Sequence, residues 1–223
     1  MLKNPTKILF FLSILFLSNN AFCFNYKPIH EFEIYRNNKK IGFHKLTFEN
    51  FENKIIINTE INMVVKLGIL PIFTYFHENE ETWEDNKFVK AITNTKKNKR
   101  EFKLKAERQG SKIKIKSRGK TFFINDDDLI TSYWHQNWFE KEILYDSQHG
   151  KKRLIKVEKK DYEKIKTSTG KIFAQKYKVT GFQDKPNGKK IDYEIWYDDE
   201  KRWVKIKFFI KKSLIEYYLV TKY

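Results

Sequence analysis

Lys54-Ile55-Ile56-Ile57-Asn58-Thr59-Glu60-Ile61-Asn62-Met63-Val64-Val65-Lys66 is the stretch whose rhythm decides the fold. Ile55, Ile57, Thr59, Ile61, Met63 and Val65 fall on one side of an extended chain. Lys54, Asn58, Glu60, Asn62 and Lys66 fall on the other. A period of two is that of a half-buried β-strand, whereas a helix would scatter the same residues around its cylinder.

The rhythm continues outward in both directions. Phe102, Leu104 and Ala106 alternate with Lys103, Lys105 and Glu107. After Gln109-Gly110-Ser111, Ile113 and Ile115 alternate with Lys112, Lys114 and Lys116, which reads as a hairpin. Asn37-Asn38 and Glu84-Asp85-Asn86 separate further strand pairs on the N-terminal side. C-terminally, Phe173, Tyr177 and Val179 lead to the turn Lys185-Pro186-Asn187-Gly188. Then come Ile191, Tyr193, Ile195 and Tyr197, the turn Asp198–Lys201, Val204, Ile206, Phe208 and Ile210, and finally Leu214, Tyr218 and Val220. No helical segment long enough for a crossover lies between strands, which excludes parallel βαβ units. The expectation is an all-β, mainly antiparallel protein: a strongly curved open sheet or half-barrel of about 10–12 strands.

One segment breaks the period. In Asp126–Trp138, Ile130, Trp134 and Trp138 recur every fourth residue behind three aspartates that suit a helix N-terminus. The spacing predicts a short helix that plugs the sheet; an irregular aromatic loop is the alternative. Apolar positions at strand spacing each gain about 1.5–3 kcal/mol on burial, so the greasy face must be covered.

The chain has 223 residues, 40% hydrophobic and 33% charged, with aromatics at 17%. Its formal charge is +17, but only six basic residues are arginine, at positions 36, 100, 108, 118, 153 and 202. Lysine, asparagine, isoleucine, phenylalanine and tyrosine have A/T-rich codons, so base drift alone can generate such a surface. Bidentate recognition of phosphate or bases favours arginine instead. Nucleic acid is therefore not expected as a partner.

Residues 1–23 read as a secretory signal peptide: Lys3 and Lys7, the apolar run Ile8–Leu17, then Ala21-Phe22-Cys23, with cleavage between Cys23 and Phe24. Ten apolar residues span about 15 Å as helix against roughly 30 Å of hydrocarbon, too short for an anchor. Phe22 occupies the place where a lipobox wants a small residue. The expected location is the periplasm, with residues 24–223 as one β domain. Cleavage there removes the only cysteine, and with it thiolate chemistry and disulfides.

His30, His44, His77, His135 and His149 are scattered, and no metal or other cofactor is expected. His77 and Glu81 share a strand face, a spacing that could begin a metal site but also suits a charged strand end. Ser132 and Ser168 lack a nucleophile-elbow context, and no glycine-rich phosphate cradle exists. No catalytic residue is assigned. A hydrolase would need Asp146, His135 and His149 to converge. Tyr133, Trp134 and Trp138 stand out instead, as candidate ligand contacts at the mouth of a hydrophobic concavity.

Several short patterns combine into a resemblance. They are Tyr35 with Gly42-Phe43-His44, Glu81-Thr82-Trp83-Glu84-Asp85, Thr93-Asn94-Thr95, Ser132-Tyr133-Trp134, Asp146 with Gly150-Lys151, and Trp196-Tyr197-Asp198 with Trp203-Val204. Across nearly the whole chain past residue 23, the sequence resembles an exported bacterial family, domain of unknown function 6134. Where that family has Gly after the Trp-x-Asp turn, this chain has Asn86. The resemblance implies a fold like that of lipoprotein-localisation carriers, an open curved sheet with a plug over an apolar concavity, and it carries no catalytic residues. Non-covalent binding of a lipid or acylated ligand is the leading functional expectation, with at most peripheral membrane contact. The alternatives are an envelope-assembly module whose lysine-rich face meets anionic polymers, and a hydrolase. Oligomeric state is not legible.

Overall fold

The computed structural model describes residues 24–223; the expected signal peptide lies outside the described residues. Fifteen strands form one sheet. They are β1 (Ile29–Arg36), β2 (Lys39–Asn50), β3 (Lys54–Leu67), β4 (Leu70–Glu84), β5 (Lys87–Lys97), β6 (Arg100–Gln109), β7 (Lys112–Ser117) and β8 (Lys120–Asn125). After them come β9 (Leu129–Ile130), β10 (Ile143–Tyr145), β11 (Lys152–Thr167), β12 (Gly170–Gln183), β13 (Lys190–Tyr197), β14 (Trp203–Ile210) and β15 (Ser213–Leu219).

Their spatial order is β8-β7-β6-β5-β4-β3-β2-β1-β15-β14-β13-β12-β11-β10-β9. Every pairing is antiparallel except the short β9–β10 contact, where Leu129 and Ile130 lie beside Leu144 and Tyr145. The first and last long strands pair with each other, Phe32 opposite Leu219 and Arg36 opposite Ile215. The free edges are then β8 and β9, and only residues 126–128 separate them in the chain. Three residues reach about 10–14 Å, so the sheet's outer edges must curl toward each other. The result is an open, barrel-like, curved antiparallel sheet with its seam between β8 and β9.

Curling a sheet this far requires sharp bends. At Gly42 in β2 a Cβ would lie 1.8 Å from the carbonyl oxygen of Asn62, and at Gly181 in β12 it would lie 1.9 Å from that of Leu154. Only glycine admits such close approach of neighbouring backbones. The tight turns use asparagine and aspartate. Asn37 and Asn38 have φ of 46° and 65°, and Asp85 and Asn86 have 47° and 61°. Both central residues are left-handed, as hairpins of matching twist demand.

Alternation becomes an inside and an outside. Phe32, Ile34, Ile57, Leu104, Ile113, Ile115 and Ile195 are buried, while the lysines between them face out. The expected periods fail in particular places. On β15 the inward residues are Ile215, Tyr217 and Leu219; Tyr218 points outward against Tyr35. On β12 the core takes Ala174 and Val179, and Phe173 is exposed, stacked on Tyr162. A register shift between Lys159 and Tyr162 changes which face each residue meets. The strand number exceeds the expected range because β8, β9, β10 and β11 carry weak or interrupted alternation.

The predicted plug helix does not form; no helix occurs among the described residues. Leu129 and Ile130 are strand, and the chain from Thr131 to Glu142 is irregular. The aspartates serve other ends. Asp126 takes the Arg108 guanidinium at 2.7 Å, and the Asp128 carboxylate accepts the Asn125 N–H, turning the chain at the seam. Thr131 donates its N–H to Tyr145 across the sheet rather than along a helix.

Candidate functional site

The irregular segment enters the barrel and fills one end. Trp134 and Trp138 are 2% and 1% exposed. The Trp134 ring meets Trp83 edge-on at 5.6 Å and lies 6.1 Å from Phe48, and its carbonyl accepts the Tyr26 hydroxyl. Trp138 packs between Tyr133 and Phe139, and Phe139 continues onto Tyr177 and Tyr197. These contacts lie toward the turns at 51–53, 85–86 and 198–202, termed here the lower end.

Glu81 fastens the plug to the wall. Its buried carboxylate accepts Asn79 Nδ2 at 2.6 Å, Trp83 Nε1 at 3.1 Å and, at 3.5 Å, the indole N–H of Trp134. Burial raises the Glu81 pKa, and these donors partly offset it. Charge and aromatic geometry together fix the segment where helical hydrogen bonds do not.

Above the plug the interior changes character. Tyr133, half-buried, meets Tyr193 at 5.9 Å and Trp203 at 5.5 Å, and its carbonyl accepts the Tyr197 hydroxyl. Inward-facing Ile61, Met63, Ile191 and Phe208 pack on the core yet remain half-buried. Among them sits His44, 7% exposed, against Trp203 and Tyr217. Neither of its ring nitrogens has a hydrogen-bond partner among the described residues, nor does Arg153 Nε. Burial drives the His44 pKa well below 6.5, so the ring is neutral and one nitrogen is an unpaired donor.

Three other histidines are also neutral through burial. His30, between the Trp203 carbonyl and the Tyr223 hydroxyl at 2.6 Å each, is lowered to about 3. His135, against Trp83, is lowered to about 3, and His77, 2.7 Å from Thr95 Oγ1, to about 4.

Of the residues a hydrolase would have needed, the fold unites two. His149 Nδ1 lies 3.2 Å from Asp146, while His135 sits apart in the plug. The Asp146 carboxylate also accepts N–H groups of Gln148, His149 and Lys151, and the His149 ring packs on Phe102 at 4.4 Å. That pattern closes the loop at 146–151, which Gln148 and Ser147 tie to Tyr75 and Thr93. His77 and Glu81 keep separate partners, and no three potential metal ligands converge among the described residues.

The three residues expected at a mouth therefore divide. Tyr133 is half-buried beside the other partly buried apolar residues, and Trp134 and Trp138 are fully buried as filling. Sequence reasoning missed His44, Met63 and Phe208. The signal available for them was the place of all three on inward strand faces.

Such a molecule belongs to the class of curved, barrel-like β proteins with a segment of their own chain packed inside. The chain belongs to the family described as domain of unknown function DUF6134, which matches residues 32–220. A solved structure of similar fold is a beta-barrel-like protein of domain of unknown function DUF1849 from Brucella abortus. It is 12% identical, with a TM-score of 0.61 over 86% of this chain and 95% of that one. No curated protein matches the sequence.

Proposed function

We propose that the protein is a non-catalytic binder of an amphiphile, a lipid or acylated molecule, taken at the upper end of the barrel. The observation that carries this reading is the half-buried apolar set Ile61, Met63, Tyr133 and Phe208 beside His44, neither of whose ring nitrogens has a hydrogen-bond partner among the described residues. Apolar walls with a few convergent polar atoms suit a molecule with a greasy body and a hydrogen-bonding head. The plug rules out deep insertion, so the ligand sits above Tyr133. The export signal read from residues 1–23 would deliver the protein to the periplasm, where such ligands occur.

The test is native purification, organic extraction and mass spectrometry, with displacement of a fluorescent fatty-acid probe. Retained lipid and micromolar probe affinity are expected, falling about tenfold or more in Met63→Glu, where a carboxylate would meet the apolar ligand. Absence of both extracted lipid and probe binding overturns the reading.

A further inference from the structure

The strands run so that one set of turns lies at the upper end, and four of these hairpin tips are contiguous. Along the order β14-β15-β1-β2-β3-β4-β5-β6 they are residues 209–213, 36–40, 66–72 and 96–100. Register sets their heights. Gly42 pairs with Met63, so the β1–β2 tip stands near Lys66; Asn98 donates to Thr74, so the β5–β6 tip stands near Val64. The β3–β4 hairpin rises about four residues, roughly 13 Å, above that neighbour.

Its summit is Leu67-Gly68-Ile69-Leu70-Pro71-Ile72. Leu67 is 71% exposed, Ile69 90%, Leu70 66% and Ile72 55%. Phe209 and Ile210 on the β14–β15 tip are 64% and 55% exposed. Around these apolar points stand Lys66, Lys39, Lys99, Arg100, Lys211 and Lys212, none in an ion pair among the described residues. The turns of the opposite end are richer in acid, with Glu84 and Asp85, Asp126–Asp128, and Asp198, Asp199 and Glu200, of which Asp126, Asp127 and Asp198 pair with Arg108, Lys141 and Arg202.

Isolated exposed leucines need no explanation, but six large apolar side chains crowning one charged end do. Water makes that arrangement unfavourable. An anionic polysaccharide would satisfy the lysines and leave Ile69 bare. A bilayer with anionic headgroups satisfies both: cations meet the headgroups, and apolar tips enter the headgroup–acyl boundary to a depth of about 5–10 Å. Above the β5–β6 tip the β3–β4 hairpin rises far enough for its summit to reach that depth. The acidic far end orients the approach.

We infer that the upper rim docks on anionic lipid bilayers, with the β3–β4 tip as the inserted element and the lysines of the flanking tips as the electrostatic contact. This rests on the rim alone and holds whether or not the interior takes a ligand.

The experiment is cosedimentation of residues 24–223, without added ligand, with vesicles of phosphatidylcholine alone or containing phosphatidylglycerol. Binding to the anionic vesicles only is expected, weakening steeply as salt rises. The exposed-turn variant Ile69→Asp/Leu70→Asp should lose affinity about tenfold or more, and Lys66→Gln/Lys211→Gln/Lys212→Gln by a similar factor. Lys112→Gln/Lys114→Gln/Lys116→Gln, on the side wall, should leave it unchanged; circular dichroism confirms that each variant is folded. Two results overturn the inference: no association with anionic vesicles, or association that ignores the Ile69/Leu70 change. The latter would mark the contact as electrostatic alone, of the kind an anionic polymer would equally satisfy.

Discussion

His30, His77 and His135 are held neutral inside the barrel, with pKa values of about 3, 4 and 3 against 6.5 in an unfolded chain. A depressed histidine contributes in full above pH 6.5, and its contribution is lost as pH falls from there toward the folded value, because only the unfolded state takes up the proton. Each costs about 1.4 kcal/mol per pH unit in that window. Three together remove about 4 kcal/mol by pH 5.5, and His44 adds in the same direction. Glu81, raised, acts oppositely: its contribution is present below about 4.5 and lost as pH climbs through its folded value. The histidines outnumber it, so the melting temperature should drop sharply between pH 7 and pH 5, and His135→Gln should flatten that slope. Equal melting temperatures at the two pH values would refute the assignment. Glu81 tests the plug itself. Glu81→Ala removes the acceptor of the Trp83 indole N–H and of Asn79 Nδ2 and should destabilise by about 3 kcal/mol or more, Glu81→Gln by less. Urea denaturation distinguishes them.

Elements differ in how far their sequences reveal them. In β6 one face is apolar and the other charged, so a one-residue slip would bury lysines, and the register is legible; β3 keeps the same period despite Ile56 and Val64 on its polar face. In β15, Leu214, Ile215, Tyr217, Tyr218 and Leu219 offer apolar groups to both faces. Only its pairing with Tyr35 outside and Ile34 inside decides between them. β11 hides behind its register shift, since an irregularity at Lys159–Tyr162 breaks the period a reader would follow. Asp126–Trp138 misleads for another reason. Its fourfold spacing fits a helix, but Leu129 and Ile130 find strand partners in β10, and the tryptophans find ring contacts that outweigh local propensity. The bends are also tertiary facts. Gly42→Ala or Gly181→Ala puts a methyl within 2 Å of a neighbouring carbonyl oxygen, and each should lower stability by about 2–4 kcal/mol. A melting curve unmoved by either change would show that the sheet is not pinched at those points.

At the scale of the whole molecule the five tryptophans, Trp83, Trp134, Trp138, Trp196 and Trp203, all lie at or below 5% exposure. Native fluorescence should therefore be blue-shifted and resist acrylamide, with a quenching constant about fivefold below that in urea; ready quenching of the native protein would mean that the lower interior is open to water. The same molecule is polarised, with its fully buried aromatics toward the lower turns and its exposed apolar and lysine-bearing tips above. The strand class, the turns at Asn37-Asn38 and Asp85-Asn86, and the alternation of greasy and lysine-bearing faces are all readable along the chain. Those follow from side-chain period and backbone sterics within a few residues. The closure of β1 on β15, the filling of the barrel by Trp134 and Trp138, the isolation of His44 and the gathering of four hairpin tips were decided only by tertiary structure. Each depends on contacts between residues far apart along the chain, whose pairing no local pattern encodes.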